Sequence, residues 1–479
     1  MHGLFDMCAE MFCRCTVYER ANEKAIKNAE GKVEEDIMSS ILIKNGIVVT
    51  LGTNNEVLYD YAVLCENGKI AQIAGNSAFK GNYGKVIDAH GKVVMPGFIN
   101  AHMHFYSTFA RGLGKAAPSN DFIEVLKNLW WRLDKSLLLE DCYYSALIPL
   151  ISAIRFGTTT LLDHHSSPGA VRGSLDAIAR AVKEIGLRAC LCYEVSDRDG
   201  AKVTQESIAE NVRFIERCHN ENDERLRALF GLHASFTITD ATMEQVSKAG
   251  NELGAGFHIH TAEARADEDF AEKKFGMRVV ERLCKFNILG SKTIAAHCVH
   301  INENEMDLLA QTGTAVAHNP QSNMNNAVGI ADILKMQNKG ILVGLGTDAM
   351  TVNMQEELRT ALWAQHLRNN NPSIGFVKAI STLLFNNPKI ANRYWDIGLG
   401  ELKVGNAADI ILIDYYPPTP FDENTFFGHF AFGLSQSAVD TTIAGGKILM
   451  ENKLLTIGID EEEISAKARE LSKKLWERF

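Results

Sequence analysis

The stretch GFINAHMHF, residues 97–105, places His102 and His104 two positions apart at the end of an apolar run. In an extended strand, residues i and i+2 point to one face. Both imidazoles therefore look the same way, which is half of a metal site if other segments supply the rest. Similar strand ends recur along the chain. GAGFHIH (254–260) ends in His258 and His260, with Glu263 just beyond; TIAAHC (293–298) carries His297; ILVGLGTD (341–348) ends in Asp348. In each case an imidazole or a carboxylate follows directly on apolar residues.

His102, His104, His260 and Asp348 together offer three nitrogens and one oxygen. That set suits one Zn²⁺, with bonds of ~2.0–2.2 Å and room for a water. Fe²⁺ or Mn²⁺ accepts the same ligand types. Such a metal lowers the pKa of its water toward ~7 and generates hydroxide at neutral pH. Glu263, close behind His260, is placed to move protons. Each residue has a plainer reading: a lone His is an ordinary packed residue, GTD is a turn, and Glu263 is a solvated side chain. The joint pattern lifts the ligand reading above these. His258 shares a face with His260 by parity and reads as a packing or supporting residue. His90, His219, His366 and His429 keep the plain reading.

These groups need elements to hold them. From VVMPGFINAHMH onward, apolar runs alternate with helical stretches: TTTLLD (158–163), RACLCYEV (188–195), LRALFGLHAS (226–235), GAGFHIH, TIAAHC, TAVAHNP (314–320) and ILVGLGTD. With the first run that makes eight, and strand-helix alternation predicts parallel strands, hence an α/β chain built on a (β/α)₈ TIM barrel over 96–397. Barrel chemistry sits at the C-terminal ends of the strands, where all these groups fall. The connection 106–157 is long, and FIEVLKNLWWRLDK within it predicts a helix covering the site. Short β-rich runs with hairpin turns fill 38–95 and return in 398–456, predicting one composite β-sandwich from both ends. Residues 457–479 predict an outer helix, and residues 1–37 an appendage of unreadable role.

The chain has 479 residues, a net charge of −10 and 46% hydrophobic content. This argues against a general nucleic-acid surface and favours small neutral or cationic substrates over polyanions. No uninterrupted apolar stretch is long enough for a membrane span. The ten cysteines, including Cys13, Cys15, Cys190 and Cys192, show no zinc-ribbon or disulfide spacing and read as thiols of a cytoplasmic protein. The H-x-E…P-C-x-x-C, H-E-x-x-H, G-x-S-x-G and Walker A patterns are absent.

At these residues the chain resembles the amidohydrolase superfamily. PGFINAHMH matches its opening metal motif, HTAE (260–263) its H-x-x-E segment, AAHCVH (295–300) its strand-six segment, GTD its strand-eight aspartate, and HNPQSNMNNAVGIADI (318–333) its H-N-P-x-S-N segment. GELKVGNAADIILID is similar to the returning sandwich strand. The resemblance covers 39–455. It is strongest to the metal-dependent aminohydrolases and deaminases of guanine and adenosine analogues, with an overall look nearest to SsnA-type aminohydrolases linked to selenium metabolism. It implies that His102, His104, His260 and Asp348 bind one metal. Glu263 then protonates a ring nitrogen or leaving amine, Asp348 takes a proton from water, and His297 polarises the substrate. His164 in LLDHHSSP and His233 in strand four resemble substrate-contacting positions. Strand four lacks the lysine of two-metal members, which favours one metal. Two loops depart from the pattern, at Met324-Asn325-Asn326 and at AMTVNM after Asp348, and both border the site.

The implied reaction is hydrolytic deamination of a purine-like or pteridine-like heterocycle by a metal-activated water, releasing ammonia, with a place in purine catabolism. An amide, cyclic ureide or halide leaving group is the alternative, and a non-catalytic binding or assembly barrel is the second. Retention of all four ligands and Glu263 counts against the last. The expected partner is a small molecule, with neither nucleic acid nor membrane, and a homodimer is the expected assembly.

Overall fold

A computed structural model describes residues 40–479. The appendage expected over 1–37, with Cys13 and Cys15, lies outside the described residues. From the N-terminal side come β1 (Ile41–Val49), β2 (Val57–Glu66), β3 (Lys69–Gly75), β4 (Lys85–Asp88) and β5 (Val93–Pro96). They share one nine-stranded sheet with four strands from the C-terminal side, Ile410–Ile413, Val439–Ala444, Lys447–Glu451 and Leu454–Leu455. The seam between the two ends is the antiparallel pairing of β5 with Ile410–Ile413, Met95 opposite Ile411. Both partners are buried β-branched or long apolar runs, as a central strand requires.

The middle of the chain forms two parallel arcs. One holds β6 (Phe98–Met103), β7 (Thr158–His165), β8 (Arg188–Tyr193) and β9 (Leu226–Ala228). The other holds β10 (Phe230–Ala234), β11 (Phe257–Thr261), β12 (Ile294–His297), β13 (Ala315–His318) and β14 (Val343–Leu345). Two parallel bridges, Val195 to Leu232 and Met103 to Asp348, link the arcs at both junctions. Since β9 and β10 are one run interrupted at Leu229, these are the eight segments expected of the TIM barrel. The second bridge carries a site residue, so joining the first strand to the last also assembles the site.

The covering helices follow amphipathic logic. In Ser174–Ile185, Leu175, Ile178, Ala179, Val182 and Ile185 recur at three- and four-residue spacing and all are buried. Gly186 ends the helix in the left-handed region at φ 89°, its N–H returning to Val182 O at 2.9 Å. The C-terminal helix Glu461–Arg478 is capped by Asp460 and fixed by the Trp476 indole, which donates to Phe109 O at 2.7 Å. The segment 122–136 is helical but irregular: an α turn capped by Asp121, a π turn at Leu126–Trp130, and a final 3₁₀ turn. Among the described residues no single helix is long and apolar enough to cross a membrane, and every cysteine is free.

Candidate active site

The backbone at the first and last barrel strands explains why His102 and Asp348 meet. Thr347 and Asp348 N–H both donate to His102 O, at 2.9 and 3.0 Å. This approach requires Gly346, where a Cβ would lie 2.7 Å from His102 O and 2.8 Å from its Cβ. Asn100 reinforces the seam by donating to Thr347 Oγ1 at 2.7 Å. Asp348 (φ 52°) and His297 (φ 73°) both occupy the left-handed region. For non-glycine residues that conformation costs about 1–3 kcal/mol each and persists where the surroundings enforce it.

The rings converge. His104 Nε2 lies 3.0 Å from Asp348 Oδ1 and 3.1 Å from His260 Nε2. His102 Nε2 lies 3.5 Å from the same Asp348 oxygen. The far side of each ring is fixed. His104 Nδ1–H donates to His164 O at 2.5 Å, and His260 Nδ1–H to His233 O at 2.9 Å. In the neutral form, both rings therefore turn a bare Nε2 to the common centre. His102 Nδ1 meets His258 Nε2 at 2.9 Å, so His258 orients that ring. Burial opposes charge on His104, yet the hydrogen bond and charge of Asp348 win and raise its pKa to about 9, so a proton competes with a metal for its Nε2. Burial also opposes ionisation of Asp348, but His102 and His104 hold its carboxyl well below the usual range. The centre is a place where positive charge is held against Asp348, as a metal cation requires.

Glu263 is also buried, and that burial, with Asp348 nearby, pushes its carboxyl well above the ordinary value. Its Oε2 faces His297 Nε2 at 3.4 Å and its Oε1 accepts from Asn326 at 3.4 Å. His297 Nδ1 accepts from the Asn323 amide at 2.8 Å. That leaves the proton of His297 on Nε2, aimed at Glu263, and burial keeps the ring neutral with a pKa of about 3. Ser322 Oγ–H donates to the second Asp348 oxygen. Asn319, Ser322, Asn323 and Asn326 lie on or beside one helix, Pro320–Asn325, whose proline sits at its first position.

On the other side stands Glu194, just past β8. Its Oε1 is 3.4 Å from His104 Nδ1 and 3.4 Å from His164 Nδ1, and its Oε2 is 3.9 Å from His233 Nε2. Burial raises its pKa to about 7. Tyr106, Phe122, Leu126, Trp130, Trp131 and Phe236 line the same cavity as Glu194, His233, Glu263 and Asp348.

Of the residues expected from sequence, His102, His104, His260, Asp348, Glu263 and His297 are thus brought together, and His233 lines the cavity. His164 is fully buried and is not part of the lining; it contacts Glu194. Sequence reasoning missed Glu194, although RACLCYEV was read as a strand whose end would face the mouth. It also missed the roles of Ser322 and Asn323, whose only signal was the H-N-P-x-S-N segment, and of Asn326, which it placed only in a loop bordering the site.

The donors fit a metal ion. His102, His260, His297 and Asp348 have donor atoms within 4.8 Å of one another, as do His104, His164, Glu194 and His260. His102 Nε2 is buried at the centre with no hydrogen-bond partner. His297 is the weaker donor, because its Nε2 carries the proton.

Residues 93–449 match the model of the amidohydrolase family. A 5'-deoxyadenosine deaminase of Methanobrevibacter smithii is 34% identical over 92% of this chain and 99% of its own length. A 5-methylthioadenosine/S-adenosylhomocysteine deaminase of Desulforudis audaxviator is 31% identical over 91% of this chain and 99% of its own length. Among solved structures, an adenosine deaminase from Xanthomonas campestris with bound zinc superposes with a TM-score of 0.81, at 22% identity, over 91% of this chain and 98% of that one.

Proposed function

The chain belongs to the amidohydrolase family, and on that premise we propose that it is a metal-dependent aminohydrolase that deaminates a purine-like or pteridine-like heterocycle. The observation that carries this reading is the convergence of the His104 and His260 Nε2 atoms beside Asp348, with Glu263 on the same cavity. Relatives named for deamination of adenosine analogues support it.

His102, His104, His260 and Asp348 would hold one divalent metal, proposed to be zinc. When bound, it supplies Lewis acidity and a water of lowered pKa. The chain's own residues do the proton work. Asp348, its second oxygen held by Ser322, takes a proton from the attacking water. Glu263, kept protonated by burial, delivers its proton to a ring nitrogen next to the reacting carbon; the proton taken by Asp348 passes to the amine as it leaves, and the proton of the new hydroxyl returns to Glu263. His297 Nε2–H stabilises the oxygen that gains charge as the carbon becomes tetrahedral. A carbon–oxygen bond forms, the carbon–nitrogen bond breaks, and ammonia leaves. The aromatic side chains that line the cavity offer apolar contact to a flat heterocycle. A cytoplasmic location and a homodimer belong to the same proposal.

The test is ammonia release across aminated purines, pterins, pyrimidines and guanidino compounds, with metal analysis of the same sample. Ammonia from a heterocycle by metal-loaded enzyme supports the reading. Metal-loaded protein that releases none, yet hydrolyses amides, ureides or halides, overturns it.

A further inference from the structure

On the side of the cavity formed by His164, Glu194 and His233, two buried acceptor atoms, His164 Nδ1 and Glu194 Oε1, receive no hydrogen bond from the protein. His164 Nε2–H is committed to His258 O at 3.1 Å, so its Nδ1 is a bare lone pair; that atom is buried and unpartnered. His233 Nδ1 lies 2.8 Å from Thr237 Oγ1, and the threonine hydroxyl donates to Ala234 O at 3.0 Å. The hydroxyl must therefore accept from His233 Nδ1–H, which leaves His233 Nε2 bare and facing Glu194. Between the two rings sits Glu194, whose Oε1 is buried without a hydrogen-bond partner. No donor nearby makes a hydrogen bond to Glu194, although Arg198, on the same cavity, keeps an unpartnered Nη1. His104 Nδ1–H goes to His164 O, and Arg198 gives its hydrogen bonds to Asp134 and Ser166 and pairs with Asp199.

A buried acceptor without a donor is costly, and a ligand that supplies the donor recovers that cost. Glu194 and His233 both line the cavity, so the missing donors are reachable from it. We propose that Glu194 is a specificity-determining residue that accepts a ring N–H of the substrate, so that the enzyme selects amino-heterocycles bearing a lactam N–H over those without one. This deepens the deamination reading and rests on it for the reaction, though not for the recognition. Glu263 and His297 work on the reacting carbon, and Glu194, across the histidine cluster, reads a second polar edge of the ring. A site built around a hydrogen bond rejects an analogue lacking the donor far more strongly than an apolar pocket rejects a missing methylene.

The experiment uses metal-loaded protein and two pairs of probes, guanine with 2-aminopurine and isocytosine with 2-aminopyrimidine. Affinity is read by calorimetry, and kcat/KM wherever ammonia is released. The expected result is a preference of about 100-fold or more for the lactam member of each pair in the native protein. Glu194→Leu should reduce it to within about 3-fold, and Glu194→Gln, which keeps one acceptor oxygen, should retain part of it. Metal content should stay the same in all three. An equal preference in native protein and Glu194→Leu overturns the proposal. Loss of metal from that variant also overturns it, by making Glu194 a ligand with His104, His164 and His260. If Glu194→Leu does not fold, Glu194→Gln decides: it must weaken the lactam members more than their partners. No ammonia from these probes or from the wider panel, with the lactam preference in affinity intact, would refute the deamination reading and leave the role of Glu194 standing.

Discussion

Nε2 of His104 lies 3.0 Å from Oδ1 of Asp348, although one residue ends the first barrel strand and the other follows the last. The contact exists because Gly346 lets the last strand press against His102, and because the two adjacent N–H groups of Thr347 and Asp348 share its carbonyl. The site is thereby tied to barrel closure.

Removing either partner should empty the centre. His104→Ala and Asp348→Ala are each expected to lose bound metal and activity together, measured by elemental analysis and ammonia release. Full activity in either variant would refute the ligand assignment.

Glu263 has a different expected signature. Glu263→Gln keeps the shape of the side chain and removes the proton it delivers. Metal content should be unchanged while kcat falls about 10²–10⁴-fold. Metal loss from this variant would instead make Glu263 a ligand.

Asn323 is the positioning residue behind His297. Its amide donates to His297 Nδ1 at 2.8 Å and so keeps the ring proton on Nε2. Asn323→Leu removes that constraint without touching a metal donor. We expect kcat to fall about 10–100-fold with metal content preserved, and Asn323→Gln to recover less than the native residue. A native kcat in Asn323→Leu would show that the tautomer is set by something else.

Asp267 gives a prediction about stability and pH. Burial raises its carboxyl from 3.8 to about 7, while the Ala262 N–H donates to it at 2.9 Å. Between these values the folded protein binds a proton that the unfolded chain has released. Stability from this group is therefore full below about pH 4 and declines as pH rises to about 7, by up to about 1.4 kcal/mol per pH unit. Asp267→Asn should flatten that decline in urea unfolding measured across this range. Parallel stability curves for the two proteins would count against it.

The sequence by itself determined the strand order and the identity of the groups at the strand ends. His102 and His104 share a face because strand side chains alternate, and the apolar runs before His260, His297 and Asp348 mark buried strands that end at polar residues. Local periodicity encodes such features directly. It does not encode which ring nitrogen is bare. That depends on carbonyls far away in sequence: His164 O for His104, His233 O for His260, and the Asn323 amide for His297. Glu194 shows the same division. Within RACLCYEV it is one more polar residue after a strand, with no spacing that singles it out. Only the packing of four barrel strands sets it between His104, His164 and His233 with an oxygen left unpartnered. The chain's periodicity chose which side chains reach the mouth of the barrel. Tertiary structure decided their tautomers, their charge and their missing partners, because each is fixed by hydrogen bonds between segments that meet only when the barrel closes.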